Sequence, residues 1–101
     1  MIHAEISIYP MATRTTSVSF YIAKAIESIQ DMKNLTFQIN PMGTVLESDN
    51  MDTINSATNR MMETVHNLGI SRVEVMIKID SRRDKHVKMK EKLESIKKQM
   101  Q

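Results

Sequence analysis

The sequence contains no cysteine, no tryptophan, two glycines and two prolines among 101 residues. The lack of cysteine excludes disulfides, thiolate metal sites and a cysteine nucleophile. With so little glycine there is neither a phosphate-cradling loop nor a G-x-S-x-G elbow for a serine nucleophile. The first residues lack the basic and apolar regions of an export signal, and no run approaches the roughly 20 apolar residues of a membrane span. We therefore expect a cytoplasmic protein.

The residues that are present have the composition of an ordinary globular chain. Hydrophobic residues make up 41% and charged residues 26% of the sequence, which is typical of a folded domain rather than a disordered one. The length suits a single core and leaves no room for a second domain. We expect residues 1–101 to form one domain.

Apolar residues recur with two different periods along the chain. They alternate in residues 2–9, 35–39 and 73–79, as in half-buried strands, and a short strand follows the turn at residues 41–43. Helical spacing occurs in residues 18–29 and 51–68 and again near the C-terminus. The order predicts an α+β, ferredoxin-like βαββαβ sandwich with an additional amphipathic helix at about 87–100. The sheet face away from the helices is expected to be uncovered and to display Glu5, Ser7, Tyr9, Thr36, Gln38, Asn40, Met76 and Lys78.

No catalytic or metal-binding constellation is apparent. His3, His66 and His86 have no partner at a metal-ligand spacing, so structural or solvated roles are favoured. Glu5, Glu47 and Asp80 occupy strand positions where they can face one another, but salt-bridged or solvated carboxylates are the preferred interpretation. We therefore expect no enzymatic activity, no metal and no cofactor.

The basic C-terminal region leaves a different function open. Eight basic and three acidic residues lie from Arg82 onward, and such asymmetry can attract phosphate groups. Lys78, Arg82 and Arg83 form the candidate anion site, although a salt-bridged network with the neighbouring aspartates is preferred. Only Tyr9 offers an aromatic ring on the open face for base stacking, so nucleic-acid binding is the weaker alternative.

Three stretches resemble one known family. They are residues 16–19 (TSVS) followed by 21–23 (YIA), residues 41–44 (PMGT) followed by Glu47, and residues 77–85 (IKIDSRRDK). These motifs are similar to those of small, long uncharacterised thiamine-binding proteins with a ferredoxin-like fold, and the similarity spans nearly the whole chain. The resemblance implies binding of thiamine or its hydroxymethylpyrimidine moiety by a homotetramer, assembled by joining sheets edge to edge and packing dimers together.

The resemblance also implies ligand-binding residues. Ser17, Ser19, Thr44 and Glu47 occupy the motif positions. Ser7 and Tyr21 are added on chemical grounds, because a cationic heterocycle needs hydroxyl partners and an aromatic wall as well as a carboxylate. The structural alternatives are helix capping for the two serines of the first motif, strand pairing for Thr44 and a surface charge for Glu47.

Overall fold

The chain folds into a four-stranded sheet and three helices in a computed structural model that describes residues 1–100. The elements are β1 (Ile2–Pro10), α1 (Ser19–Glu27), β2 (Thr36–Asn40), β3 (Gly43–Ser48), α2 (Met51–Asn67), β4 (Val73–Ser81) and α3 (Met89–Gln99). The strand order is β2-β3-β1-β4, and every neighbouring pair is antiparallel. The predicted ferredoxin-like fold is confirmed.

The core lies between one face of the sheet and helices α1 and α2. Alternation in β1 sends Ala4, Ile6 and Ile8 to this side, where they are buried. The 17-residue helix α2 contributes an apolar stripe against them. Its buried members are Ile54, Ala57, Met61 and Val65.

The ends of α1 differ from the sequence prediction. Helix capping was the structural alternative for Ser17 and Ser19, but the residue at the cap position is Val18, which supplies no side-chain hydrogen bond. The helix also stops at Glu27, and Ile29 lies in the following turn, where its N–H donates to the carbonyl of Ile26 at 3.1 Å. Ile29 is buried nonetheless. The helical spacing of apolar residues therefore predicted the burial of Ile29 correctly, although this residue lies beyond the end of the helix.

The second face of the sheet is partly covered by α3, which corrects the expectation of an uncovered face. The N–H of Met89 and the side chain of Lys92 both bond to sheet carboxylates on this side, those of Glu47 and Asp80. No residue of α3 is buried, so the helix rests on the sheet through its first turns without a deep apolar contact. Within residues 1–100, no helix is both long and apolar enough to cross a membrane.

Candidate functional site

A cavity of about 210 Å³ lies beside the turn that joins β2 and β3. Pairing between β1 and β3 stops at Ile6 and Thr44. Beyond this point β1 has an unpaired edge, which presents main-chain N–H and C=O groups to whatever lies beside it. We call this space the hairpin-end cavity. It is lined by Ile6, Ser7, Ile8, Tyr9, Val18, Ile22, Asn40, Pro41, Met42, Gly43, Thr44 and Met61.

Two of the predicted ligand residues, Ser7 and Thr44, line this cavity, and they approach it from opposite faces of the sheet. The Ser7 Oγ donates to the carbonyl of Met42 at 3.0 Å, which fastens β1 to the turn. Thr44 is only 3% exposed, and its hydroxyl takes part in none of the side-chain hydrogen bonds among residues 1–100. No fully enclosed polar side-chain atom in this range is left unpaired, so the Thr44 oxygen is not fully enclosed, and Thr44 lines the cavity. A bound molecule would satisfy it.

Tyr9 and Asn40 also line the hairpin-end cavity, although the sequence motifs do not include them. Each directly precedes a proline, at the end of its strand, and that position is the signal that could have identified them. The Asn40 Oδ1 accepts a hydrogen bond from the Gln38 amide at 3.1 Å. None of the residues that line the cavity carries a charge, so the site suits an uncharged polar ring.

The start of α1 supplies apolar walls to the cavity rather than its predicted polar contacts. Val18 and Ile22 line the space, whereas the hydroxyls of Ser17 and Ser19 lie 3.2 Å apart and bond to each other at the surface. Tyr21 packs against the core, with its ring edge-on to Phe20 at 5.5 Å between centroids. The structure therefore places these three predicted residues next to the cavity wall without making them part of its lining.

Glu47 lies away from this cavity, on the opposite face of the sheet from Thr44. It is 5% exposed, and its Oε2 lies 2.9 Å from Nε2 of the equally buried His3. The same oxygen accepts the N–H of Met89 at the start of α3. A carboxylate at a helix N-terminus is favourable for the helix dipole. These contacts give Glu47 a structural role, and they hold it apart from the hairpin-end cavity.

A second cavity, of about 320 Å³, lies between the sheet and α3. We call it the sheet-face cavity. Its walls combine the polar face of the sheet with the first turns of α3. It is lined by His3, Glu5, Gln38, Asn40, Val45, Lys78, Asp80, Met89, Lys92 and Leu93.

The three cations of the candidate anion site do not converge. Lys78 lines the sheet-face cavity, whereas Arg82 makes two hydrogen bonds to Asp84, at 2.7 and 3.1 Å. The bond from the Arg82 guanidinium holds the pKa of the Asp84 carboxyl below its ordinary value of 3.8. Arg83 is exposed and takes part in no ion pair among residues 1–100. The geometry favours the salt-bridged network over an anion site.

The histidines have structural partners. In addition to the His3–Glu47 pair, His66 Nδ1 lies 2.8 Å from the carbonyl of Ile70, and His86 Nε2 lies 3.2 Å from Asp49. Within residues 1–100, no three histidine or acidic side chains are grouped so that they could hold a metal ion.

Both the sequence and the fold of the chain are similar to those of known proteins. The chain is 38% identical to a UPF0045 protein of Methanothermobacter thermautotrophicus over 97 residues, covering 96% of this chain and 97% of that one. A crystal structure of a hypothetical protein from Methanocaldococcus jannaschii superposes with a TM-score of 0.85, at 40% identity and 95% coverage of both chains.

A more distant structure shares the fold. It is a Thermotoga maritima protein whose name assigns it, provisionally, to thiamine biosynthesis or salvage, with a TM-score of 0.77 at 18% identity and coverage of 94% and 97%. The family model described as "Thiamine-binding protein" matches residues 4–97. This match includes the lining of the hairpin-end cavity, that of the sheet-face cavity except His3, and nearly all of α3. The chain therefore belongs to the thiamine-binding protein family.

Proposed function

We propose that the chain binds thiamine through the hydroxymethylpyrimidine moiety, with this ring seated in the hairpin-end cavity. The observation that carries the proposal is the hydroxyl of Thr44, a residue that is only 3% exposed, which has no side-chain hydrogen bond among residues 1–100 and lies in the lining of a space with apolar walls. A ligand that enters this space and displaces water has to return a hydrogen bond to the hydroxyl, because a group left unpaired in a desolvated site costs free energy.

The chemistry of an aminopyrimidine matches the lining. The ring is flat and uncharged, and it presents an amino donor and nitrogen acceptors that suit a hydroxyl and a strand edge. Thr44 and the main-chain groups in the unpaired part of β1 offer these partners. The volume of about 210 Å³ is below the roughly 300–1,000 Å³ of pockets that enclose drug-sized ligands. We infer that one ring enters while the cationic thiazolium remains outside.

The comparisons support a thiamine-related role at a coarser level. The family description names thiamine binding, and the Thermotoga maritima protein carries a thiamine-related name. Beyond this general assignment, we propose that the hydroxymethylpyrimidine moiety is the part of thiamine that is bound and that the hairpin-end cavity is its binding site.

Binding without chemical turnover is part of the proposal. The hairpin-end cavity holds no histidine, carboxylate or lysine, so neither Ser7 nor Thr44 has a base within it that could activate its hydroxyl. We propose that the protein acts in the cytoplasm as a binder. Incubation with thiamine followed by mass spectrometry should return thiamine unchanged, and any product would contradict this part.

We further propose that the protein works as a homotetramer. On the edge strand β4, Ile77 is 40% and Ile79 45% exposed. Ile96 on α3 and Met100 directly after this helix are 60% and 70% exposed. Apolar surfaces of this kind often mark contacts with another chain, and a second β4 could extend the sheet across this edge. Light scattering at micromolar concentration tests the assembly, and a monomer would contradict it.

The binding proposal is tested by calorimetric titration with thiamine, with hydroxymethylpyrimidine and with the separate thiazole fragment. We expect thiamine and the pyrimidine to bind and the thiazole not to bind. Thr44→Val keeps the shape but removes the hydroxyl, and it should weaken pyrimidine binding by about two- to tenfold, as expected for one neutral hydrogen bond. Thr58→Val is the matched control, because the Thr58 hydroxyl bonds to Ile54 within α2. Equal affinity in wild type and Thr44→Val would contradict the assignment of the cavity.

A further inference from the structure

Two opposite charges face each other in the sheet-face cavity without forming an ion pair. Glu5 on β1 and Lys78 on β4 are direct partners in the register of the sheet. Side chains at such positions are close enough to interact, and opposite charges usually do so. Yet neither Glu5 nor Lys78 takes part in any ion pair or side-chain hydrogen bond among residues 1–100, although both line the cavity.

The other acidic and basic side chains of the cavity already have partners. His3 is paired with the buried Glu47, and Lys92 is paired with Asp80. The carboxylate of Glu5 and the ammonium of Lys78 are therefore the two charges that remain available to a molecule in the cavity. One is negative and the other positive, so a ligand with a single charge would satisfy only one of them.

The rest of the lining supplies an apolar wall and neutral polar groups. Val45 contributes from the sheet and Met89 and Leu93 from α3, while Gln38 and Asn40 bring side-chain amides. The volume of about 320 Å³ lies at the lower end of the range for small-molecule pockets. This combination is suited to a compact molecule that carries both charges at one end and an apolar group at the other.

We propose that the sheet-face cavity is a second binding site, which takes a zwitterionic α-amino acid with an apolar side chain. The ligand ammonium pairs with Glu5, the ligand carboxylate pairs with Lys78, and the apolar side chain lies against Val45 and Leu93. The site is a different cavity from the proposed pyrimidine site, since Thr44 faces the other side of the sheet, although Asn40 lines both cavities.

The test is an NMR titration of the full-length protein with L-leucine as the probe. We expect saturable shifts of the amides of residues 5, 38 and 78, with a dissociation constant on the order of 1 mM. Leucine amide lacks the carboxylate and N-acetyl-leucine lacks the ammonium, and each should bind at least about tenfold more weakly, the effect of losing one charged hydrogen bond. Glu5→Gln should abolish the discrimination against N-acetyl-leucine, and Lys78→Gln the discrimination against the amide. Glu74→Gln is the control, because Glu74 pairs with Arg72 outside the cavity.

Several outcomes would overturn the proposal. One is the absence of saturable shifts with L-leucine up to about 10 mM, well above the expected constant. Another is equal binding of leucine and both analogues by wild type, a comparison that remains decisive if a variant fails to fold. Displacement of leucine by thiamine would show that the cavity belongs to the thiamine site. Retention of leucine binding by Thr44→Val, in a protein that has lost pyrimidine affinity, would support two independent sites.

Discussion

The Nε2 of His3 lies 2.9 Å from the Oε2 of Glu47, and the side chains of both residues are buried. The pair links β1 to β3 directly across their register, where these two residues are partners. Because the same oxygen accepts the N–H of Met89, the contact extends to α3. The position of the last helix therefore depends on a pair of side chains in the sheet.

Removal of the Glu47 carboxylate should release α3. Glu47→Ala leaves the buried His3 ring without its partner and the Met89 N–H without an acceptor. We expect a loss of about 1–3 kcal/mol in the free energy of unfolding, the usual cost of leaving a buried hydrogen-bonding group without its partner. Urea denaturation measures this loss, and amide exchange in residues 89–99 reports the release. The exposed Glu74→Ala should change stability by less than about 0.5 kcal/mol, and equal effects of the two variants would contradict the anchoring role.

Thiamine affinity separates the anchoring role of Glu47 from the ligand contact implied by the family resemblance. In Glu47→Gln the amide oxygen can still accept the Met89 N–H, while the charge is lost. If Glu47 only anchors α3, calorimetry should give thiamine affinities that agree within about twofold for this variant and wild type. A direct contact with the cation would instead cost roughly ten- to a hundredfold, as for hydrogen bonds to charged groups. A loss of this size in Glu47→Gln, with α3 still ordered, would show that Glu47 contacts the ligand directly.

Gly43→Ala should narrow the hairpin-end cavity. A Cβ at this position would lie 3.1 Å from the carbonyl oxygen of Ile6 and 3.1 Å from the Ser7 Oγ, closer than most such contacts. We expect a destabilisation of about 1–3 kcal/mol, typical of overpacking, together with weaker pyrimidine binding. Gly69→Ala is the control, since its φ of +98° makes alanine strained while nothing lies within 4 Å. It should lower stability but leave affinity unchanged, and loss of affinity in both variants would indicate a global effect.

The Asp80–Lys92 pair should make the docking of α3 sensitive to acid. The hydrogen bond from Lys92, aided by its charge, holds the pKa of the Asp80 carboxyl below its ordinary value of 3.8. A folded-state pKa below the unfolded value means that the pair stabilises the fold above about pH 4. This contribution is lost as the pH falls below 3.8 and through the folded-state pKa. Thermal unfolding should show wild type more stable than Asp80→Asn at pH 7, with a difference that shrinks towards pH 3. A constant difference across this range would contradict the role of the pair.

Ile77→Lys should disturb self-association. It places a charge on the edge strand where an apolar side chain is 40% exposed, and lysine on an edge strand opposes pairing with another sheet. Light scattering should show a smaller assembly than in wild type. Met42→Lys is the control, since Met42 is an exposed apolar residue at the β2–β3 turn, and an equal effect there would mean that β4 is not the joining edge.

The fold could be predicted from the sequence because apolar residues recur regularly in it, at every second position in the strands and at helical spacing in the helices. β1 alternates over its whole length, and the outward set of residues that we predicted for the sheet lies on one face, with Glu5 opposite Lys78 and Ser7 opposite Met76. Helix ends were less predictable. Several serines and threonines precede α1, and local hydrogen bonds such as that between Ser17 and Ser19 occupy their hydroxyls instead of a cap.

The candidate site was only partly predictable, because sequence motifs do not state which face a residue occupies. Thr44 and Glu47 belong to one motif but lie three residues apart on a strand, so alternation places them on opposite sides of the sheet. The partners of Glu47 come from residues 3 and 89, and no local pattern indicates contacts at such separations. Asn40 and Tyr9 required the observation that pairing between β1 and β3 ends at Ile6.

The central position of β1 has a consequence for folding during synthesis. This strand leaves the ribosome before the other three strands, yet it pairs with β3 at residues 44–48 and with β4 at residues 73–81. Both edges of β1 can therefore be paired only after most of the chain has been synthesised, and its apolar side chains are exposed until then. Such long-range pairing slows folding and leaves an exposed strand that can associate with other chains. Nascent chains that end before β4 should depend on chaperones, and completion of the last strand should release them.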